Sequence, residues 1–148
     1  MKFIVEENLA RLAKELRALG YDVVIAKAMS VDAIITQANR QSRIFLTRNN
    51  KIAKMKKAFS RKLIKSDVYE KQILELLDYI EFNEDKIFSR CLECNSKLHV
   101  RKEADNSVPD YVRDNYQEFM YCGKCKKYYW KGSHYQAMLE RLRSIFFN

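Results

Sequence analysis

Four cysteines in two pairs of identical spacing are the residues of this chain best suited to chemistry. Cys91-Leu-Glu-Cys94 and Cys122-Gly-Lys-Cys125 use every cysteine in the 148 residues. A C-x2-C pair lets one tight turn offer two thiolates to a metal ion. Two such knuckles complete the tetrahedral sulfur shell that suits Zn2+. With four cysteines as ligands no coordination position stays open for a substrate, so the expected role of the metal is structural. Other uses of the thiols are open. Two disulfides would ask for an oxidising compartment, and the first residues do not read as a signal peptide. A redox site would use one pair and leave the second unexplained, and four thiolates also fit an iron–sulfur cluster. The 27 residues between the pairs, 95 to 121, exceed the ribbon spacing of about 15–20. That loop is expected to carry structure of its own, including Pro109 to Phe119.

Cations form the second signal. The formal net charge is +9, and between Asp32 and Asp67 there is no acidic residue. The same interval holds Arg40, Arg43, Arg48, Lys51, Lys54, Lys56, Lys57, Arg61, Lys62 and Lys65. An ordinary solvated helix face interleaves both signs, whereas an unbroken basic run suits a polyanion. No lipid-anchor motif or basic amphipathic terminus appears, so nucleic acid is the expected partner rather than a membrane surface. A second cluster sets Tyr128, Tyr129 and Trp130 between Lys126, Lys127 and Lys131. Aromatics beside cations can stack bases and hold phosphates, although members of this run can equally pack inside a ribbon, Trp130 above all.

The elements that must position these residues can be read from periodicity. Lys2-Phe-Ile-Val5 reads as a buried strand. Leu9, Leu12, Ala13, Leu16 and Leu19 recur at helical spacing up to a stop at Gly20. Tyr21 to Ala26 is a second strand, and Ser30 is a candidate cap for a helix presenting Val31, Ile34, Ile35 and Ala38. Arg43 to Thr47 gives a third strand, then a basic helix through Ile52, Met55 and Phe59. A brief fourth strand begins at Leu63-Ile64 and ends at Ser66-Asp67. A long helix follows, expected to turn Ile73, Leu74, Leu77 and Ile80 inward, and Met138, Leu139, Leu142 and Ile145 mark a closing helix. Alternating strand and helix with short connections is the pattern of a parallel sheet covered on both faces. Hydrophobic residues make up 47% of the chain, enough for a core, with no apolar run of membrane-spanning length. Neither the dinucleotide glycine fingerprint nor a phosphate-binding Gly-Lys-Ser follows a strand.

In open parallel sheets, functional groups collect beyond the carboxyl ends of the strands. Those ends carry Glu6 and Glu7, Asn49, and Asp67, with Asp32 on the helix after the second strand. Carboxylates gathered at one edge repel unless a cation intervenes, and Mg2+ or Mn2+ is the natural guest. Such an ion can activate water and stabilise charge building on a phosphate.

The chain also resembles a known family. Lys2-Phe-Ile-Val-Glu-Glu-Asn-Leu9, Leu16-Arg-x-Leu-Gly-Tyr-Asp22, Phe45-Leu-Thr-Arg48, Arg90-Cys-Leu-Glu-Cys94 and Cys122-x-x-Cys-x-x-x-Tyr-Trp-x-Gly-Ser-His134 are similar to motifs of the Mut-seven C-terminal RNase domain family. The resemblance implies a PIN-like nuclease domain followed by a zinc ribbon, and metal-dependent RNA cleavage by a carboxylate cluster. Two positions depart from the family pattern. Glu6 stands where the family has Asp, and Asn49 replaces the Asp of a Thr-Arg-Asp run. Asn can ligate through its carbonyl oxygen but brings no charge and cannot act as a base. Asp32 and Asp67 match acidic family positions, and Gln72 matches as an architectural residue.

The expected protein is therefore cytoplasmic and of α/β class. A PIN-like domain spans residues 1–85, and a four-cysteine ribbon with a closing helix spans 86–148. Glu6, Asp32, Asn49 and Asp67 form the candidate catalytic set, with Mg2+ or Mn2+. Cys91, Cys94, Cys122 and Cys125 hold Zn2+. Arg48, Lys51, Lys54, Lys56, Lys57, Arg61, Lys62, Lys126, Lys127, Tyr129 and His134 are candidate RNA contacts, His134 more readily as an internal hydrogen-bonding group. The expected activity is a ribonuclease, with a catalytically weak RNA-binding module as the alternative, acting on ribosomal, transfer or messenger RNA. A protein or ribonucleoprotein partner is compatible with either.

Overall fold

The computed structural model describes all residues, 1–148. Strand β1 (Lys2–Glu6) leads through a single tight turn into helix α1 (Ala10–Ala18) and strand β2 (Asp22–Ala26). Helix α2 (Val31–Gln41) crosses to β3 (Ile44–Thr47), and a one-turn helix α3 (Asn50–Ala53) precedes β4 (Arg61–Leu63). The four strands form a wholly parallel sheet in the order β2-β1-β3-β4. Side chains alternate across it as strand geometry requires. Phe3 and Val5 join α1 in the larger core cluster, while Ile4 and Phe45 pack with Ile34, Ile35 and Ala38 of α2 on the other face. Ser30 does cap α2, its hydroxyl accepting from the Ala33 N–H at 3.1 Å.

Three expectations about this half are corrected. The basic helix expected around residues 51–62 is a single turn. Arg61 folds back and donates to the carbonyls of Ile52 (3.3 Å), Ala53 (3.4 Å), Met55 (2.6 Å) and Lys57, while its guanidinium lies 3.6 Å from the Phe59 ring centroid. An arginine serving carbonyls at a helix end stops the helix there, and the chain runs extended into β4. That strand accordingly begins at Arg61, two residues earlier than expected. The long helix after β4 is instead α4 (Tyr69–Leu74) followed by tight turns. Ile73, Leu76 and Ile80 are buried, but Leu74 and Leu77 are 47% and 40% exposed.

The second half carries a three-stranded antiparallel sheet of β5 (His99–Arg101), β6 (Phe119–Cys122) and β7 (Lys127–Tyr129). Helix α5 (Asp110–Asn115) occupies the long loop between the cysteine pairs, and α6 (Ser133–Phe147) closes the fold. No hydrophobic gap separates the halves. One 24-residue cluster runs from Phe3 and Leu16 through Cys91, Cys122 and Tyr129 to Leu142. Glu15 on α1 accepts from Arg141 on α6 at 2.8 and 2.9 Å, clamping the closing helix to the sheet side. At Gly20 the chain turns with φ +98°, and an added Cβ would lie 2.6 Å from the Lys86 carbonyl oxygen. Glycine alone permits both that backbone and that approach.

Candidate functional site

Strands β1 and β3 are neighbours in the sheet but not in the sequence, so the chain leaves their carboxyl ends towards opposite faces. Such a switch point opens a crevice. Glu6 ends β1 and Thr47 ends β3, one residue beyond the Val5–Leu46 pair. The buried Thr47 hydroxyl donates to Glu6 Oε2 at 3.0 Å and accepts from the Asn49 N–H at 3.0 Å. One threonine thus fixes the carboxylate and the following loop. Asn49 is the cap of α3, its Oδ1 accepting from the N–H groups of Lys51 (2.8 Å) and Ile52 (3.3 Å). Glu6, Asn8, Arg48 and Asn49 line an open crevice of about 460 Å³ at this edge.

The remaining acids stand apart from Glu6. Asp32 lies in the first turn of α2 with its side chain 73% exposed and pairs with Lys57. Asp67 sits exposed in the bend between β4 and α4. The carboxylates of Glu6, Asp32 and Asp67 do not converge on a common point. Buried Gln72 is architectural, as expected, donating to the Ser66 carbonyl at 2.8 Å. The Glu7 carboxylate accepts from the Ala28 N–H at 3.1 Å, tying the ends of β1 and β2 together.

The cations divide into two groups. Arg48, Lys51, Lys54 and Lys56 are exposed, as is Lys57 beside Asp32, and Lys62 is half-buried. Arg43 is buried and donates to the Phe3 carbonyl and the Asp22 carboxylate, so it is a structural cation. Arg61 is spent on the carbonyls ending α3, which removes it from the expected RNA contacts.

The cysteines converge. Their four sulfurs lie within 4.8 Å of one another, with Cys91–Cys125 at 3.9 Å and Cys94–Cys122 at 3.5 Å. A tetrahedron with Zn–S bonds of about 2.3 Å has S···S edges of about 3.8 Å, so the cluster fits one ion of that size. A multi-iron cluster would hold its cysteine sulfurs farther apart. Each knuckle ends in a left-handed residue directly after its second cysteine, Asn95 at φ 72° and Lys126 at φ 55°. Four crowded thiols cannot all ionise alone. Burial works against the Cys94 thiolate, but hydrogen bonding with Ser96 outweighs it and brings that thiol down to about 6. The neighbouring Cys94 sulfur and then burial push Cys125 up to about 12. A divalent cation at the centre removes this conflict.

Around the cluster, Tyr129 departs from its expected role. Its ring is 9% exposed, lies 5.6 Å from Phe88, and its hydroxyl is 3.3 Å from Cys91 Sγ. No face is free to stack a base. Lys126 and Lys127 are exposed, and Lys127 Nζ lies 5.5 Å from the Tyr129 ring centroid. His134 is exposed in the first turn of α6.

Residues 1–142 match a family described as the Mut7-C RNAse domain. The chain belongs to that family. No curated protein matches it. Membership in this RNase family gives the chain a nuclease-like, RNA-related setting, and the four cysteines are positioned to bind a metal ion. No helix is long and apolar enough to cross a membrane.

Sequence reasoning missed the residues that join the parallel-sheet half to the cysteine-bearing half. Arg17 on α1 donates to the Val23 carbonyl (3.0 and 2.9 Å) and to the Leu92 carbonyl of the first knuckle (2.8 Å). Asn95 accepts from the Val23 N–H at 2.9 Å and donates to Asp22 at 2.7 Å. Together they satisfy the outward N–H and carbonyl of Val23 on edge strand β2, which would otherwise be open to stray pairing. The available signal was an arginine at position 17 on the otherwise apolar face of α1. Thr47 was also missed as a positioning residue. It is a polar residue closing an apolar strand.

Proposed function

We propose that this chain is a metal-dependent ribonuclease of PIN-like type, acting at the crevice between β1 and β3, with Zn2+ held by its four cysteines. The observation that carries the reading is the Thr47–Glu6 hydrogen bond at the switch point, which holds a carboxylate at the crevice mouth beside Arg48. Exposed Lys51, Lys54 and Lys56 lie just beyond, where they attract an RNA backbone. Mg2+ is commonly held by one or two carboxylates together with substrate phosphates and water. Glu6 fits that mode, with Asp32 joining once its pair with Lys57 opens and Asp67 at the same sheet edge. When bound, such an ion supplies an activated water and neutralises charge building on the phosphate. Thr47 fixes the Glu6 carboxylate, Arg48 orients the RNA phosphate, and Asn49 keeps the loop in place through its cap.

One observation favours a second reading, RNA binding with weak cleavage. Asn49 brings no charge, its carbonyl oxygen is occupied by two backbone N–H groups, and Asp32 is neutralised by Lys57.

The test is incubation of the purified protein with labelled single-stranded and structured RNA, with and without added Mn2+. The ribonuclease reading expects Mn2+-dependent products that disappear in Glu6→Gln and Asp32→Ala. Binding without products under all conditions would transfer the conclusion to the second reading.

A further inference from the structure

The 27-residue loop between the cysteine pairs, longer than a ribbon needs, builds a wall that the crevice does not use. Helix α5 and the residue after it bring Tyr111 and Tyr116 to face Trp130 and His134 across a cleft of about 320 Å³. Tyr111 is 70% exposed, an uncommon position for a large aromatic with no partner ring. Gly132 lets two polar tips converge there. A Cβ at that position would lie 3.0 Å from Trp130 Nε1 and 3.4 Å from the Tyr116 hydroxyl. Neither tip is spent on a hydrogen bond within the protein, so the floor offers free donors between aromatic walls. The β7–α6 side of the cleft is basic, while α5 opposite carries exposed Asp110, paired with Arg113, and Asp114. From residue 119 to residue 139 there is no acid, while Lys124, Lys126, Lys127 and Lys131 are all exposed. Lys131 Nζ stands 5.7 Å from the Tyr135 ring centroid, at the rim of the cleft.

We propose that this cleft takes an unpaired base of single-stranded RNA, stacked against Tyr111, with Lys131 and its neighbours holding the flanking phosphates. Aromatic faces with cations beside them are how sequence-tolerant single-strand sites are made. A paired base has both faces covered and cannot enter. The inference rests on the RNA reading above and assigns it a strand preference and a holding site separate from the crevice.

Trp130 is the only tryptophan in the chain, so its emission reports the cleft directly. The experiment titrates the zinc-loaded full chain, without added Mn2+, with an oligoribonucleotide and then with the same strand annealed into a duplex. The expected result is saturable quenching by the single strand and little by the duplex. Tyr111→Ala weakens single-strand binding about tenfold, and Tyr111→Phe, which keeps the ring, restores it. Because Tyr111 is exposed, loss of folding does not confuse the comparison. Glu6→Gln should leave the quenching unchanged. If single-strand binding proceeds with steady Trp130 emission and Tyr111→Ala is neutral while Mn2+-dependent cleavage persists, the cleft proposal is overturned and the ribonuclease reading stands. Equal quenching by duplex also overturns it. Quenching that responds to Tyr111 in a protein that never cleaves supports the cleft and removes the catalytic reading.

Discussion

The cysteine cluster and the carboxyl edge of the parallel sheet both gather side chains that are distant in sequence, but with different rigidity. Each cysteine pair sits on a knuckle whose backbone leaves the sulfurs little freedom, and Cys91 and Cys122 are fully buried. Four sulfurs therefore meet within 4.8 Å. Of the three candidate catalytic carboxylates at the sheet edge, only Glu6 is fixed by a buried group, Thr47. Asp32 and Asp67 project from an exposed helix start and an exposed bend, where a neighbouring lysine competes for Asp32. Buried turns impose geometry before a ligand arrives. Exposed acids acquire it only with the ligand.

The sharpest way to break this comparison is to remove the metal. Elemental analysis of protein purified without added metal should find about one zinc per chain. Cys122→Ser should release it. Because Cys91 and Cys122 belong to the core cluster shared with the sheet, the loss should spread beyond the ribbon. A fall in melting temperature of roughly 15 °C is expected, the scale of about 5 kcal/mol for a chain of this size. Metal-free protein that melts unchanged would place the cysteines outside the fold's stability altogether.

Gly20→Ala tests the close approach of the α1–β2 turn to Lys86 and Ser89, just before the first cysteine pair. The left-handed backbone and the 2.6 Å approach to the Lys86 carbonyl should together cost about 3 kcal/mol in urea unfolding. Zinc content should be unaltered.

Docking of the ribbon on β2 comes next in size. Asn95→Ala removes both hydrogen bonds to the edge strand and is expected to cost about 2 kcal/mol. The same contact carries a pH signature. Burial would raise the Asp22 carboxyl, but hydrogen bonds from Arg43 and Asn95 and the charges of Arg43 and Arg90 outweigh it and hold the group below the ordinary range. Its contribution is thus fully present above the ordinary carboxylate range and is lost as pH falls through the lowered value. Acid should loosen the ribbon, and Asp22→Asn should flatten that part of the stability profile. A profile unchanged by Asp22→Asn would mean that other carboxylates govern acid unfolding.

The smallest effect on folding, and the most informative for the crevice, is expected from Asn49→Asp. Aspartate caps a helix as well as asparagine, so stability should move by no more than about 0.5 kcal/mol. The added charge should tighten Mn2+ binding about tenfold, on the order of 1.4 kcal/mol, and speed RNA cleavage. RNA affinity without Mn2+ should hardly change. Calorimetry showing unaltered Mn2+ affinity, with cleavage still absent, would make the sheet edge a binding surface only.

The sequence by itself determined the local and periodic features of this protein. Apolar runs marked β1, β2 and β3, Ser30 marked the start of α2, and the paired cysteine spacing marked a metal centre. Each is a signal carried by residues a few positions apart. Charge along the chain was equally plain, but its use was not. Arg43 and Arg61 stand in the same basic run as Lys51 and Lys54, yet the fold turns the first two onto backbone carbonyls and leaves the lysines in solvent. Guanidinium geometry allows several carbonyls to be served at once, and only the folded chain decides where such carbonyls lie. Leu77 followed a helical period to the wrong face because turns replaced the helix after residue 74, and Leu74, the last residue of α4, lies exposed beside buried Ile73. Tyr129 looked like a base-stacking residue until packing enclosed it beside Cys91. The union of the two halves was decided only in three dimensions. Arg17 and Asn95 act across 75 and 72 residues, and no short-range pattern encodes a contact whose partners are brought together by burying a shared core.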